Sequence, residues 1–221
     1  MALFATSSAE GFVFNSVAGA GQSSIDKVLA ESRPSRIVVA NMPTLDFAAI
    51  YACGSIRELV LGYGCPWPDF TRLSQLTHVS AMEACPALHE LPLGLIGLGL
   101  YGYQGKDLGA LAFLQYLKHL DMRMSPRLAD LSGIGLAMAD LSLAGAPRLQ
   151  EIDALKDHQG LARLYLSKCS KLRSAEEIFS LQNLRELTLD KVPVALDLAR
   201  IDAMGLDFYY VNGRRGGGYE S

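Results

Sequence analysis

The chain has 221 residues, half of them apolar, which is enough for a continuous core and argues against general disorder. Its formal charge of −3 and pI near 5.8 supply no blanket attraction to nucleic acid or to an anionic membrane surface. Cys53, Cys65, Cys85 and Cys169 form no CxxC pair, which excludes a thiol redox motif and a four-cysteine zinc knuckle, and they are read as reduced thiols.

At the N-terminus, Met1-Ala-Leu-Phe-Ala-Thr-Ser-Ser8 lacks the basic and long apolar regions of a secretory signal. No segment reaches the roughly 18 apolar residues of a membrane span, so a cytoplasmic location is expected. Phe12-Val13-Phe14 reads as a capping strand, and Ser24, Ile25, Val28 and Leu29 as a short helix, giving an N-terminal cap over residues 1–33. Between them Gly19-Ala-Gly-Gln-Ser-Ser24 has the glycines of a phosphate loop but not its lysine.

From residue 34 an apolar-x-apolar core recurs, at Ile37, Leu59, Val79, Leu98, Leu120, Leu141, Leu164, Leu187 and Leu206. The spacings are 22, 20, 19, 22, 21, 23, 23 and 19. Three residues before most cores stands another apolar residue, from Ile56 through Leu76, Leu95, Leu117, Met138 and Leu161 to Leu184, with Pro34 and Ala203 at the two ends; the frame is LxxLxL. After the core comes a small or sulfur residue, often followed by proline, as in Met42-Pro-Thr-Leu45, Ser125-Pro-Arg-Leu128, Ala146-Pro-Arg-Leu149 and Cys169-Ser-Lys-Leu172.

Nine such frames in register over residues 34–211 resemble the leucine-rich-repeat family, whose repeats run to roughly 20–29 residues. The resemblance implies an α/β fold: a right-handed solenoid with a parallel, concave β-sheet and short helices or loops on the convex side. Each LxL alternates as a half-buried strand does, and one coil is too small to bury its own apolar stripe. Coils therefore stack, with strands about 4.8 Å apart. The asparagine of the best-known consensus is missing after the core, so the side-chain ladder along that turn is expected to be irregular. Cys85 and Cys169 stand where this family often places cysteine, which implies packing rather than reactivity.

Among the returns, Ser174-Ala-Glu-Glu177 reads as a capping box ahead of Ile178, Leu181 and Leu184. Residues 107–117 and 197–204 also look helical, whereas 128–136 is too glycine-rich. A last strand is expected over 206–211. Gly213-Arg-Arg-Gly-Gly-Gly218 then suggests a flexible tail over 212–221, too short in arginine for an RNA-binding tract.

The alternation predicts three columns on the open face. Before the cores lie Arg36, Glu58, His78, Gly97, His119, Asp140, Arg163, Glu186 and Gly205; within them Val38, Val60, Ser80, Gly99, Asp121, Ser142, Tyr165, Thr188 and Asp207; after them Ala40, Gly62, Met82, Tyr101, Arg123, Ala144, Ser167, Asp190 and Tyr209. His119, Asp121, Asp140 and Ser142 gather on adjacent coils, the one arrangement that suggests an enzyme or a metal site. It would lie on an open surface with a single histidine, so no catalytic residue, metal or cofactor is assigned. Tyr63, Trp67, Tyr101, Tyr103, Tyr165, Tyr209 and Tyr210 fall on or beyond the sheet edge, where some serve as anchors and others pack within their own coil.

The expected function is a non-catalytic scaffold that grips a protein partner. Its contacts are placed at Tyr101, Asp121, Arg123, Asp140, Tyr165 and Glu186, whose acids suit a partner with a basic patch. The absence of a fused domain is similar to small bacterial repeat proteins, some of which are immunity proteins that neutralise a toxin. An effector or adaptor that presents a host or cellular protein is the other form. The free chain is expected to be monomeric, and neither nucleic acid nor membrane is expected as a partner.

Overall fold

The computed structural model describes residues 11–218, so the readings of residues 1–8 and of 219–221 fall outside it. Two compact units divide after Leu100. The first contains β1 (Gly11–Asn15), α1 (Gln22–Ser32), β2 (Arg36–Ala40), α2 (Ala48–Ala52), β3 (Glu58–Leu61), β4 (His78–Ala81) and β5 (Gly97–Tyr101), whose last residue opens the second unit. Its strands are parallel and in chain order, with Ile37 opposite Leu59, Leu59 opposite Val79 and Val79 opposite Leu98. These side chains are buried together with Ile56, Leu76 and Leu95, as the LxxLxL frame requires.

The expected capping strand is a full member of this sheet, since β1 sets Phe12 opposite Ile37 and Phe14 opposite Val39. In α1, Ile25 and Leu29 are one turn apart and fill one buried face. The Gly21 backbone N–H donates to Ser24 Oγ at its start (3.4 Å). The helix α2 was not anticipated. It begins where Asp46 Oδ1 accepts from the Ala48 N–H (2.9 Å), an Asx turn in a run too short to show periodicity.

The second unit contains β6 (His119–Arg123), β7 (Asp140–Ala144), β8 (Arg163–Ser167), β9 (Glu186–Asp190), α3 (Leu198–Ala203), β10 (Phe208–Val211) and β11 (Arg214–Gly216). Strands β6 to β10 are parallel, with Leu120, Leu141, Leu164 and Leu187 stacked in register and buried.

The last repeat differs from expectation. Tyr209 stands opposite Leu187 and Val211 opposite Leu189, so the core is Tyr209-x-Val211 rather than Leu206-x-Phe208. Leu206 is the apolar residue three before it, as Leu184 is for Leu187. The open-face columns accordingly end in Phe208, Tyr210 and Asn212, not in Gly205, Asp207 and Tyr209. The expected tail also contributes a strand, because Asn212 (φ 46) and Gly213 (φ 101) form the two-residue turn that suits a right-twisted hairpin. It folds β11 antiparallel onto β10.

The returns are mostly shorter than helices. Residues 107–117 hold only a 3₁₀ turn, Gly109–Leu111. The expected capping box gives a 3₁₀ turn at Glu176–Ser180, where Ser174 Oγ does accept from the Glu176 N–H (3.2 Å). Glu177 is buried and lies 3.9 Å from Lys156 Nζ instead of reaching back to the cap. An α-helix about 10 Å wide on every return would outgrow strands spaced about 4.8 Å apart, so slimmer turns take its place. The expected helix over 197–204 does form as α3, capped by Asp197 Oδ1, which accepts from the Ala199 and Arg200 N–H groups (2.9 and 3.4 Å).

Where the consensus asparagine is missing, backbone groups bond instead. The N–H groups of Gly102, Met124, Gly145 and Lys168 donate to Arg123, Ala144, Ser167 and Asp190 of the following coil (2.8 to 2.9 Å). All four donors have positive φ. The small or sulfur residues Ser125, Ala146 and Cys169 then point into the core.

Candidate protein interface

Within the second unit, alternation along β6 to β10 turns three rows of side chains away from the leucine core. The register sets them as His119, Asp140, Arg163, Glu186, Phe208; Asp121, Ser142, Tyr165, Thr188, Tyr210; and Arg123, Ala144, Ser167, Asp190. Tyr101 is half-buried at the edge of this unit.

The first strands of the unit are internally satisfied. Asp140 accepts from Arg163 Nε at Oδ1 (2.7 Å) and from Arg163 Nη2 at Oδ2, where His119 Nδ1 is also bound. Burial pushes the Asp140 carboxyl up, but the hydrogen bonds and charges of Arg163 and His119 outweigh it and hold the group below the usual carboxylate range. The same hydrogen bond raises Arg163. Asp121, only 7% exposed, accepts from Ser142 Oγ (3.0 Å) and from Arg123 (3.2 and 3.3 Å). Asp121 and Asp140 thus orient their neighbours more than they face outward.

The same bonds decide how the possible catalytic cluster is arranged. Ser142 gives its proton to Asp121, and His119 is bound to Asp140 through Nδ1. The histidine–carboxylate pair resembles that of a general base, but the serine hydroxyl is directed at Asp121 and not at His119, so the nucleophile is not bonded to the base that would activate it. No group of three or more metal-ligating side chains occurs among the described residues.

The later strands are more open. Tyr165 is 38% and Phe208 37% exposed, Glu186 is exposed and Tyr210 half-buried. Asp190 Oδ2 accepts from Ser167 Oγ (3.1 Å). Arg215 of β11 lies over the Tyr210 ring, 5.7 Å from its centre. Two other aromatics expected near the sheet edge are buried: Tyr103 donates to the Asp107 carbonyl and Tyr209 to Asp202 Oδ1, both at 2.7 Å. Sequence reasoning missed Phe208 as an open-face residue, and the apolar residue three before Tyr209 was the signal that could have found it. In the first unit Trp67 packs against Phe70, ring centres 6.0 Å apart. The first unit also holds a groove of about 610 Å³ lined by residues of α1 and α2 and by Cys53.

No family model and no curated protein matches the sequence. Solved structures do. The leucine-rich-repeat domain of the type III effector XopL is 22% identical with a TM-score of 0.57, covering 91% of this chain and 76% of that one. An internalin, InlF of Listeria monocytogenes, is 15% identical with a TM-score of 0.54, covering 85% of this chain and 64% of that one. The chain has the leucine-rich-repeat fold. The functional domain of InlJ, also from Listeria monocytogenes, matches at 16% identity and a TM-score of 0.52, covering 84% of this chain. This leucine-rich-repeat chain spans half the length of the solved InlJ domain and just under two thirds of the solved InlF chain. The InlJ domain includes a cysteine ladder; here the buried Cys169 shares its turn column with Ser125 and Ala146. Burial pushes the Cys169 thiol up to about 11, against a weaker lowering by the Ala146 backbone, so it packs as a small apolar group. No helix among the described residues is long and apolar enough to cross a membrane.

Proposed function

We propose that this chain is a non-catalytic scaffold that binds a protein partner through the open face of β6 to β10. The observation that carries the reading is the pair of adjacent rows in which Arg163, Glu186 and Phe208 stand beside Tyr165 and Tyr210, with Tyr165, Glu186 and Phe208 exposed. Large amphipathic rings set among charges are the residue types that dominate binding energy at interfaces. The contacts are Tyr101, Arg123, Tyr165 and Glu186, with Asp121 and Asp140 holding Arg123 and Arg163 in position. Acidic Glu186 and Asp190 suit a partner with a basic patch.

In its finer form the chain is a monomeric, cytoplasmic immunity protein whose partner is a toxin. Co-expression tests this directly: the wild type protects cells from the toxin, and a Tyr165→Ala, Glu186→Arg variant does not. The effector or adaptor form is favoured instead if the captured partner comes from a host or is an ordinary cellular protein. The likeness to a domain of a type III effector supports that second form only at the level of fold.

A further inference from the structure

Strand β9 turns Glu186, Thr188 and Asp190 to the open face in that order, because they are two residues apart along a strand. In register on one side of Thr188 is Tyr165 of β8, and on the other is Tyr210 of β10. Two phenol rings therefore flank a small side chain from strands about 9.6 Å apart. With both rings upright on their strands, a cation midway between them would lie about 5 Å from each, inside the ~6 Å reach of cation–π attraction. The slot has aromatic walls, a threonine floor and a carboxylate at each end.

The surrounding charges fit a single cation. Glu186 is exposed and makes no salt bridge among the described residues. Its neighbour in the row, Arg163, is clamped by Asp140 and feels Glu186 only as a weaker Coulombic attraction. Arg215 belongs to β11, which pairs with β10 on the side away from β9. It stacks from that side and leaves the Tyr210 face toward Thr188 to a ligand.

We propose that Tyr165, Thr188 and Tyr210, with Glu186 and Asp190 at the two ends, receive an arginine side chain of a protein partner. Arginine fits better than lysine because its guanidinium is flat enough to lie between two rings and presents a fork that matches the Glu186 carboxylate. The site rests on the scaffold reading but names a chemistry that the reading does not require.

The test uses the full chain with ring-labelled tyrosines and acetyl-Gly-Arg-Gly-amide as the probe, followed by NMR. The Tyr165 and Tyr210 resonances shift and saturate together. The citrulline peptide, which keeps the shape without the charge, binds at least about ten-fold more weakly, and Glu186→Gln weakens the arginine peptide about five-fold. Thr188→Tyr, which fills the floor with a residue well suited to strands, abolishes the shifts while the remaining spectrum stays folded. Equal binding of arginine and citrulline peptides, tighter binding of a lysine peptide, or undiminished binding by both variants overturns the site. A chain that ignores arginine peptides yet still binds a protein through β8 to β10 sinks the slot and leaves the scaffold intact.

Discussion

A single methyl group is enough to disturb the stacking of these coils. Gly133 has φ +87, and a Cβ added there would lie 2.6 Å from the Gly109 backbone nitrogen of the preceding coil. Gly133→Ala is expected to cost at least about 2 kcal/mol, combining left-handed strain with displaced backbone, and a denaturant titration measures it. Asp140 gives a pH signature. Its folded pKa is depressed, so its contribution is present above the unfolded value of about 3.9 and is lost as pH falls through the lower folded value. Asp140→Asn should destabilise the chain at neutral pH by up to about 1 kcal/mol, the scale of a solvent-screened ion pair, and the gap between variant and wild type should close as pH falls below about 4. A gap that persists unchanged to pH 2 would assign the effect to packing instead.

At the scale of elements, the last repeat offers the sharpest check. Tyr209 is buried and bonded to Asp202, whereas Tyr210 faces outward. Tyr209→Ala is expected to cost about 3 kcal/mol or more and Tyr210→Ala under about 1 kcal/mol in thermal or denaturant unfolding; the opposite order would restore the Leu206 register. Leu164→Ala, in the centre of the second unit, belongs to the range of about 2–5 kcal/mol for buried leucine truncation. Eight of the nine cores were legible in the sequence because each LxL is anchored by the apolar residue three before it. The ninth misled because Leu206-Asp-Phe208 satisfies apolar alternation on its own. The hairpin hid behind glycine and arginine composition, although Asn212-Gly213 carried its signal. Helix signals in the returns at 107–117 and 174–184 were overruled by coil thickness, a tertiary constraint that local propensity does not contain.

For the whole molecule, the sequence reached the rows of the open face but not their internal accounting. Alternation identified Asp121, Arg123 and Asp140 as neighbours on the sheet. It could not show that Asp121 is buried or that Asp140 is clamped by Arg163 and His119. Charge reversal at Asp140 would therefore disturb folding as well as binding, and Tyr165 with Glu186 makes the cleaner probe. The most direct test captures the partner from the source cells with the wild-type chain, then measures its affinity for wild type and for Tyr165→Ala, Glu186→Arg by calorimetry. The scaffold account predicts a loss of at least about 2 kcal/mol, roughly 30-fold, with the melting temperature nearly unchanged. Unimpaired binding by that variant would contradict it and move the interface off the open face of the sheet.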